Sequence, residues 1–403
     1  MNPALAGLRP EQPPELGELP PDGAILAPGM NIGVLREKDP HDRRVALTPP
    51  VVRQLVERGN VVWVEQGAAD GAMFRDDEFI RAGASIGYSQ ADVIARSDLI
   101  ARISVPTTRE LDLCRPGTAV MAFYHMAVAG KAVFERLLDR QITSIGCEII
   151  ETSDGRHPVL AAASELCGRT AIPLAAHLLR SSSGGRGILL GGTPGIPPAH
   201  VVILGAGVVG ARAARAATAS GARVTILDTD AEKLRDLVDH VPNISTALAD
   251  PDSIAAAVSS ADVVIGAILV PGLRTPHVVT KKMVEAMQRG SVIIDVSIDQ
   301  GGCVETSRPT TIAEPAFVYH GVVHYCVPNL TADIGRSASI ALAHAVMPYL
   351  LRLGELGIDE AFRQCPQLAR GVYTYRGQCV HHRLAVAWKA EYRPLADILT
   401  EGA

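Results

Sequence analysis

Apolar residues in this chain gather in short runs with little alternation: 32–35, 99–103, 119–123, 201–204, 263–267 and 292–296. A strand wetted on one face alternates apolar and polar positions, and a strand covered on both faces need not. These runs therefore predict strands buried on both sides, as in parallel sheets. Further strands are expected at VVWVEQG after Gly59 and over 144–147, 223–227 and 322–326. Helical stretches lie between them, at 50–58, 231–240, 253–259 and 280–288, and the alternation continues through 77–84 and 90–95. Strand alternating with helix at this spacing predicts an α/β protein: two doubly wound domains with a cleft between them, the second a Rossmann domain.

The boundaries follow from composition. Residues 1–29 are rich in Pro, Glu and Leu without a period and read as a flexible leader. Residues 30–160 form the first α/β unit, which lacks a glycine fingerprint. Residues 161–335 form the second, entered through a helix at 164–180 and the glycine-rich SSSGGRGILLGGTPGIPP. Residues 336–403 read as helices that complete the first unit. Scarce aromatics and abundant Gly and Ala suit close packing of helix on sheet.

Charge and special residues narrow the function. A net charge of -5 without charged blocks argues against nucleic acid and anionic membranes as partners. The seven cysteines include no C-x-x-C, so they read as small buried hydrophobes in a reducing compartment. The twelve histidines form no ligand pattern with cysteine, and no metal is expected. No uncharged apolar run of spanning length and no signal peptide is evident, so the expected location is cytoplasmic.

The most informative stretch is VVILGAGVVGARAARAATASGARVTILD, residues 201–228. Gly205 permits the tight turn from strand to helix. Gly207 lets a pyrophosphate approach the backbone, and Gly210 allows close helix–strand packing. Ala206, Val208 and Val209 complete the turn, whose helix directs free N–H groups at phosphate. Asp228 ends the next strand and can accept from both hydroxyls of an adenosine ribose. With Thr229 and Asp230 beside it and no arginine, it would repel a 2′-phosphate, so the cofactor is expected to be NAD.

Ligands of doubly wound sheets lie beyond the carboxyl ends of the strands. Arg44, Arg102, Ser104, His125 and Asp299 occupy such positions. Arg44 can clamp a carboxylate through two parallel hydrogen bonds, or be a solvated arginine of the charged loop REKDPHDRR. His125 can serve as acid or base near neutral pH, or be a capped surface histidine. Asp299 can orient a base or ammonium, or simply form its turn. Cys303 lacks an acid/base partner at motif spacing and reads as structural.

Taken together, RRVALTP (43–49), FYHMA (123–127), SELCGR (164–169), GGRGILLGGTPGI (184–196), ILGAGVVG (203–210), GAILVPG (266–272), DVSIDQGGCVETSRPTT (295–311) and YCVPN (325–329) resemble the alanine dehydrogenase family. That family shares its fold with the soluble parts of nicotinamide nucleotide transhydrogenase. The resemblance implies reversible, NAD-linked oxidative deamination of a small amino acid to its 2-oxo acid and ammonium. It also implies a homo-oligomer, commonly a hexamer. By the same likeness Arg44 would bind the substrate carboxylate and His125 would be the acid/base, with Asp299 assisting ammonia or water. Ser164 would contact the cofactor diphosphate. Leu269, Val270, Ile298 and Asn329 would line the NAD site, with Asn329 and Leu330 near the substrate.

Two departures stand out. The strand that usually reads like LLLKVKEP is here LIARISVP, so Ser104 replaces a substrate-contacting lysine. Arg102, two residues earlier on the same strand face, would do that lysine's work if the chain is a plain alanine dehydrogenase, although the family also has a basic residue there. After Asn329, LTADIGRSAS replaces something like MPGAVPRTST, and Leu330 stands for a usual methionine. Three readings follow: an alanine dehydrogenase, a member diverged to another amino or imino acid, and a catalytically silent NAD-binding homologue.

Overall fold

The structure, a computed structural model, describes residues 29–270 and 273–401. The expected leader, apart from Gly29, lies outside the described residues, as do Pro271 and Gly272 of the GAILVPG motif. The early strands are β1 (Asn31–Val34), β2 (Val61–Glu65), β3 (Ser85–Gly87), β4 (Leu99–Ala101), β5 (Ala119–Ala122) and β6 (Thr143–Gly146). The middle of the chain supplies β7 (His200–Leu204), β8 (Arg223–Asp228), β9 (Ile244–Leu248), β10 (Val263–Gly266), β11 (Val292–Asp295), β12 (Ala316–Tyr319) and β13 (Val322–Tyr325). Two more follow near the C-terminus, β14 (Val372–Tyr375) and β15 (Gln378–Cys379).

These strands build two sheets in two compact units, one of residues 29–163 with 332–401 and one of residues 164–331. The first sheet runs β15-β14-β6-β5-β4-β1-β2-β3 and the second β12-β13-β11-β10-β7-β8-β9. All ladders are parallel except those of β14 with β6, β15 with β14 and β12 with β13. Both sheets carry helices and form doubly wound α/β layers.

The unbroken apolar runs have the expected cause. In β5, Ala119 and Met121 enter one core while Val120 and Ala122 enter another. In β7, Val201 and Ile203 divide from Val202 and Leu204 in the same way. Each strand buries both rows of side chains, so neither row needs to be polar.

The C-terminal region corrects the sequence reading, which made it helical throughout. The helix Gly335–Leu356 is present, but β14 and β15 extend the first sheet beyond it. Their hairpin turns through Arg376 and Gly377, both at positive φ, and β12 and β13 turn likewise through His320 and Gly321. Two-residue turns of this kind match strand twist and are usually announced by Asn-Gly or Asp-Gly. Arg-Gly and His-Gly are weaker signals, so neither hairpin is announced by its turn residues. Strand β9, the edge Ile-Ser-Thr-Ala-Leu, was missed because it is largely exposed and has no apolar run.

The helix Pro158–Leu178 has the length and mean hydropathy of a membrane-crossing helix. Its character is that of a packed helix interrupted by charge. Glu165 pairs with Arg212 of the helix Val208–Ala219. A Cβ at Gly168 would lie 2.4 Å from the Val209 carbonyl oxygen, so helix meets helix closely there.

Candidate active site

In both sheets the strand order reverses next to the first strand of the unit: between β1 and β4, and between β7 and β10. A crevice forms at such a switch point, beyond the carboxyl ends of the strands. The expected site residues fall at these two places and on the strands beside them.

The second unit carries the glycine turn. Gly205 has φ +107°, and a Cβ there would lie 2.4 Å from the Ala267 carbonyl oxygen at the end of β10. At Gly210 a Cβ would come within 1.8 Å of the Gly205 carbonyl oxygen. At Gly207 it would meet nothing within 4 Å. Two glycines thus let the fold close on itself, and the third leaves open space at the mouth of the turn. The helix Val208–Ala219 starts from Gly207 with no side-chain cap, so its first-turn donors face that space. Ala206 donates its N–H to Asp228 Oδ2 at 2.6 Å, which ties the turn to the end of β8. The half-buried Asp228 also accepts from Asp230 N at 2.9 Å. The residues present fit a dinucleotide: a cradle that a Cβ would fill, an uncapped helix start, and an acid that forms no ion pair among the described residues.

Beyond β11 the chain makes a tight helical turn, Val296–Gln300, anchored by Asp295. This buried carboxylate accepts from Ser297 N at 3.1 Å, Cys303 N at 3.0 Å and Val304 N at 3.2 Å. Burial pushes its carboxyl above the usual range, against those hydrogen bonds. The turn presents Asp299, whose Oδ1 accepts the Asn329 N–H at 2.8 Å. Asn329 itself is left-handed, with φ 56°. The structure therefore brings Asp299 and Asn329 together and stations Ile298 beside them in the turn. Ser164 is half-buried on the helix Pro158–Leu178, next to Glu165. Leu269 and Val270 follow β10, with Leu269 45% exposed. Leu330 is packed into the core of this unit at 5% exposure.

In the first unit the centre of the site is a pair of carboxylates that the sequence reading did not single out. Asp42 grips Arg44 through Nε at 2.8 Å and Nη2 at 2.6 Å. It also accepts the Ser104 hydroxyl at 3.1 Å. Arg44 and Asp42 side chains are 4% and 5% exposed, so Arg44 is not a solvated loop arginine. Glu37, just past β1, accepts Ile103 N at 2.7 Å and Ser104 N at 3.0 Å and fixes the end of the β4 strand.

The side chain of Arg102 has no exposure and lies between two carboxylates, 3.3 Å from Glu37 and 2.6 Å from Glu110. Burial alone would weaken its charge, but the two acids outweigh burial and raise its basicity. Burial likewise pushes Glu110 up, yet Arg102 and Thr107 hold its carboxyl below the usual range. The charge of this guanidinium is thus matched by two acids of its own unit, although its Nε has no hydrogen-bond partner among the described residues.

His125 follows β5, whose extension meets that of β4: Phe123 N donates to Ile103 O at 2.9 Å. Ser104 and His125 thus stand at the ends of neighbouring strands. His125 is left-handed, with φ 44° and ψ 50°. Its N–H donates to Glu148 Oε1 at 2.7 Å, and Nδ1 is buried without a partner among the described residues. The buried histidines of the second unit differ. His200 is engaged at both ring nitrogens, by Ser260 O and Thr225 Oγ1, and His324 by Val322 O and Thr306 Oγ1. Asp42, Glu37 and Glu148 were legible only as charges near strand ends, and that position was the available signal. All seven cysteines are buried and unbridged, Cys303 with no exposure.

Comparison with known proteins adds a second line. Residues 33–167 match the family described as alanine dehydrogenase/PNT, N-terminal domain, and residues 171–382 match its C-terminal domain. The chain is 40% identical to the alanine dehydrogenase of Mycobacterium tuberculosis over 371 residues, covering 92% of this chain and 100% of that protein. For the alanine dehydrogenase of Halomonas elongata the identity is 39% over 371 residues, with the same shares. A solved L-alanine dehydrogenase is similar at TM-score 0.83 and 37% identity, covering 89% of this chain and 99% of its own. A transhydrogenase from Sinorhizobium meliloti shares the fold at TM-score 0.73 and 24% identity, covering 87% and 99%.

Proposed function

Because this chain belongs to the alanine dehydrogenase/PNT family, we propose that it is an NAD-dependent amino-acid dehydrogenase. It interconverts L-alanine or a related small amino acid with the 2-oxo acid and ammonium. NAD, when bound, supplies the hydride acceptor. Residues 30–160 with 336–403 serve as the substrate domain and 161–335 as the cofactor domain. The glycine turn and Asp228 hold the dinucleotide, with Ser164, Leu269, Val270, Ile298 and Asn329 around it. The working enzyme is a homo-oligomer, as the resemblance implies, and its place is the cytoplasm, as the sequence reading expects.

The residues divide the chemistry as follows. Arg44, fixed as a fork by Asp42, orients the substrate carboxylate. Loss of one ammonium proton to solvent and of hydride from Cα leaves an iminium. Water adds to its carbon as His125 takes one of the water's protons, giving a neutral carbinolamine. His125 then gives that proton to nitrogen and takes the hydroxyl proton as the C–N bond breaks, so that ammonia departs and the carbonyl forms. Asp299 stabilises the leaving ammonium and keeps its turn in register with Asn329.

One observation carries this reading over a silent NAD-binding homologue: the unpartnered Nδ1 of His125. The buried histidines His200 and His324 have both nitrogens satisfied, and an unmet buried polar atom is costly, so the free nitrogen of His125 supports a role beyond packing. Ser104 favours a second reading of the substrate. A neutral hydroxyl that donates to Asp42 stands where a lysine would add a cation, which suits a larger or less anionic amino or imino acid. Steady-state NAD reduction and NADH oxidation across a panel of amino and oxo acids, with wild type and Ser104→Lys, tests both. Ordinary alanine turnover with no better substrate removes the second reading. Higher alanine activity in Ser104→Lys supports it, and absence of turnover with every substrate overturns the enzyme reading.

A further inference from the structure

Glu148 lies in the helical turn Cys147–Ile149 directly after β6 and is 2% exposed. It accepts three hydrogen bonds: from Tyr124 N at 3.1 Å, His125 N at 2.7 Å and the Tyr373 hydroxyl at 2.8 Å. Among the described residues no lysine or arginine forms an ion pair with it. A buried carboxylate without a counter-ion is unfavourable, and it persists only where donors replace its lost water. Two of the donors here are consecutive main-chain N–H groups, at the point where the backbone turns left-handed. A β-carbon makes that conformation uncommon, so something outside the local chain must hold it.

Little else fixes the imidazole. Its Nδ1 has no partner among the described residues, and its ring stacks only loosely on Phe123, with centroids 6.2 Å apart. The direction of the ring is therefore set by the main chain that Glu148 grips. The third donor comes from far along the sequence. Tyr373 belongs to β14, and Gly146 leaves space for it, since a Cβ there would lie 2.4 Å from the Tyr373 ring.

We infer that Glu148, braced by the Tyr373 hydroxyl, is the positioning residue that aims His125 at the substrate. The inference rests on His125 being the acid/base. Neither Glu148 nor Tyr373 touches reacting atoms in this scheme. They raise turnover by holding the left-handed backbone of residues 124–125, so their loss lowers kcat and leaves substrate binding by Arg44 nearly intact.

The test uses the full-length enzyme, with turnover normalised to NADH-binding sites and thermal unfolding recorded for each variant. Glu148→Gln keeps the side chain's shape but offers one acceptor oxygen where there were two. It is expected to lower kcat tenfold or more, change the amino-acid KM less than threefold, and displace the kcat pH profile. Tyr373→Phe should act in the same direction by a few fold. Unchanged kcat and pH profile in folded Glu148→Gln overturns the inference, as does a raised KM with kcat unchanged. Should Glu148→Gln fail to fold, Tyr373→Phe carries the same outcomes. His125→Gln separates the premises. Retained turnover there overturns the acid/base reading itself, while lost turnover beside an unaffected Glu148→Gln overturns only the positioning role.

Discussion

The two units prepare their sites with different materials. The cofactor unit uses main chain: three glycines, an uncapped helix and one terminal acid, all within residues 205–228. The substrate unit uses buried charge: Asp42 on Arg44, Glu37 and Glu110 on Arg102, and Glu148 on the N–H of His125. A backbone site depends on volume and is local in sequence. A charge-built site depends on partners drawn from several strand ends, and removal of one partner exposes the other.

That contrast can be broken at its strongest point first. Arg102→Met leaves Glu37 and Glu110 buried without their cation, and unfolding in urea should show a loss of about 3–5 kcal/mol. Gly210→Ala tests volume in the other unit. Its new Cβ would lie 1.8 Å from a carbonyl oxygen, and the expected loss is about 3 kcal/mol, at the upper end of overpacking. Gly207→Ala meets no protein atom within 4 Å, so stability should change by under about 0.5 kcal/mol. Its NADH affinity should fall by roughly tenfold, about 1.4 kcal/mol, because the methyl enters space meant for pyrophosphate. Equal stability losses in the two glycine variants would defeat the assignment of separate roles.

The smallest effect concerns pH. Burial, followed by the charges of Arg383 and His382, lowers the pKa of His381 from 6.5 to about 4. Between those values the unfolded chain binds a proton that the native state does not, so stability falls as pH drops through that window. At pH 5 the contribution is on the order of 1 kcal/mol after allowance for partial exposure. His381→Asn keeps an acceptor for the Leu384 N–H and removes the titration. Urea midpoints at pH 7 and pH 5 should differ less in that variant than in wild type.

The same contrast explains what the sequence made legible. Each glycine of the turn has its reason within a few residues, or in a strand found by its own apolar run, so pattern and spacing were enough. The charged half has no such locality. Glu37 reads as one more solvated charge in REKDPHDRR until β4 is placed beside β1, and Arg102 reads as unpaired until Glu110 closes on it. Glu148 acquires meaning only when Tyr373, 225 residues later, reaches its carboxylate. His125 and Asp299 are candidates by their position at strand ends, and Leu330, named from resemblance, lies in the core.

The way β14 completes the first sheet has a consequence for synthesis. Ser144 and Thr374 share a buried hydrogen bond of 2.7 Å across 230 residues. A ribosome therefore releases residues 29–163 long before the strand that covers β6 exists. The interior unit, residues 164–331, has all seven of its strands in continuous sequence and can close as soon as it emerges. Of the two units, the one begun earlier is thus the one finished later, and until then the edge of β6 is open to neighbouring nascent chains on the same message.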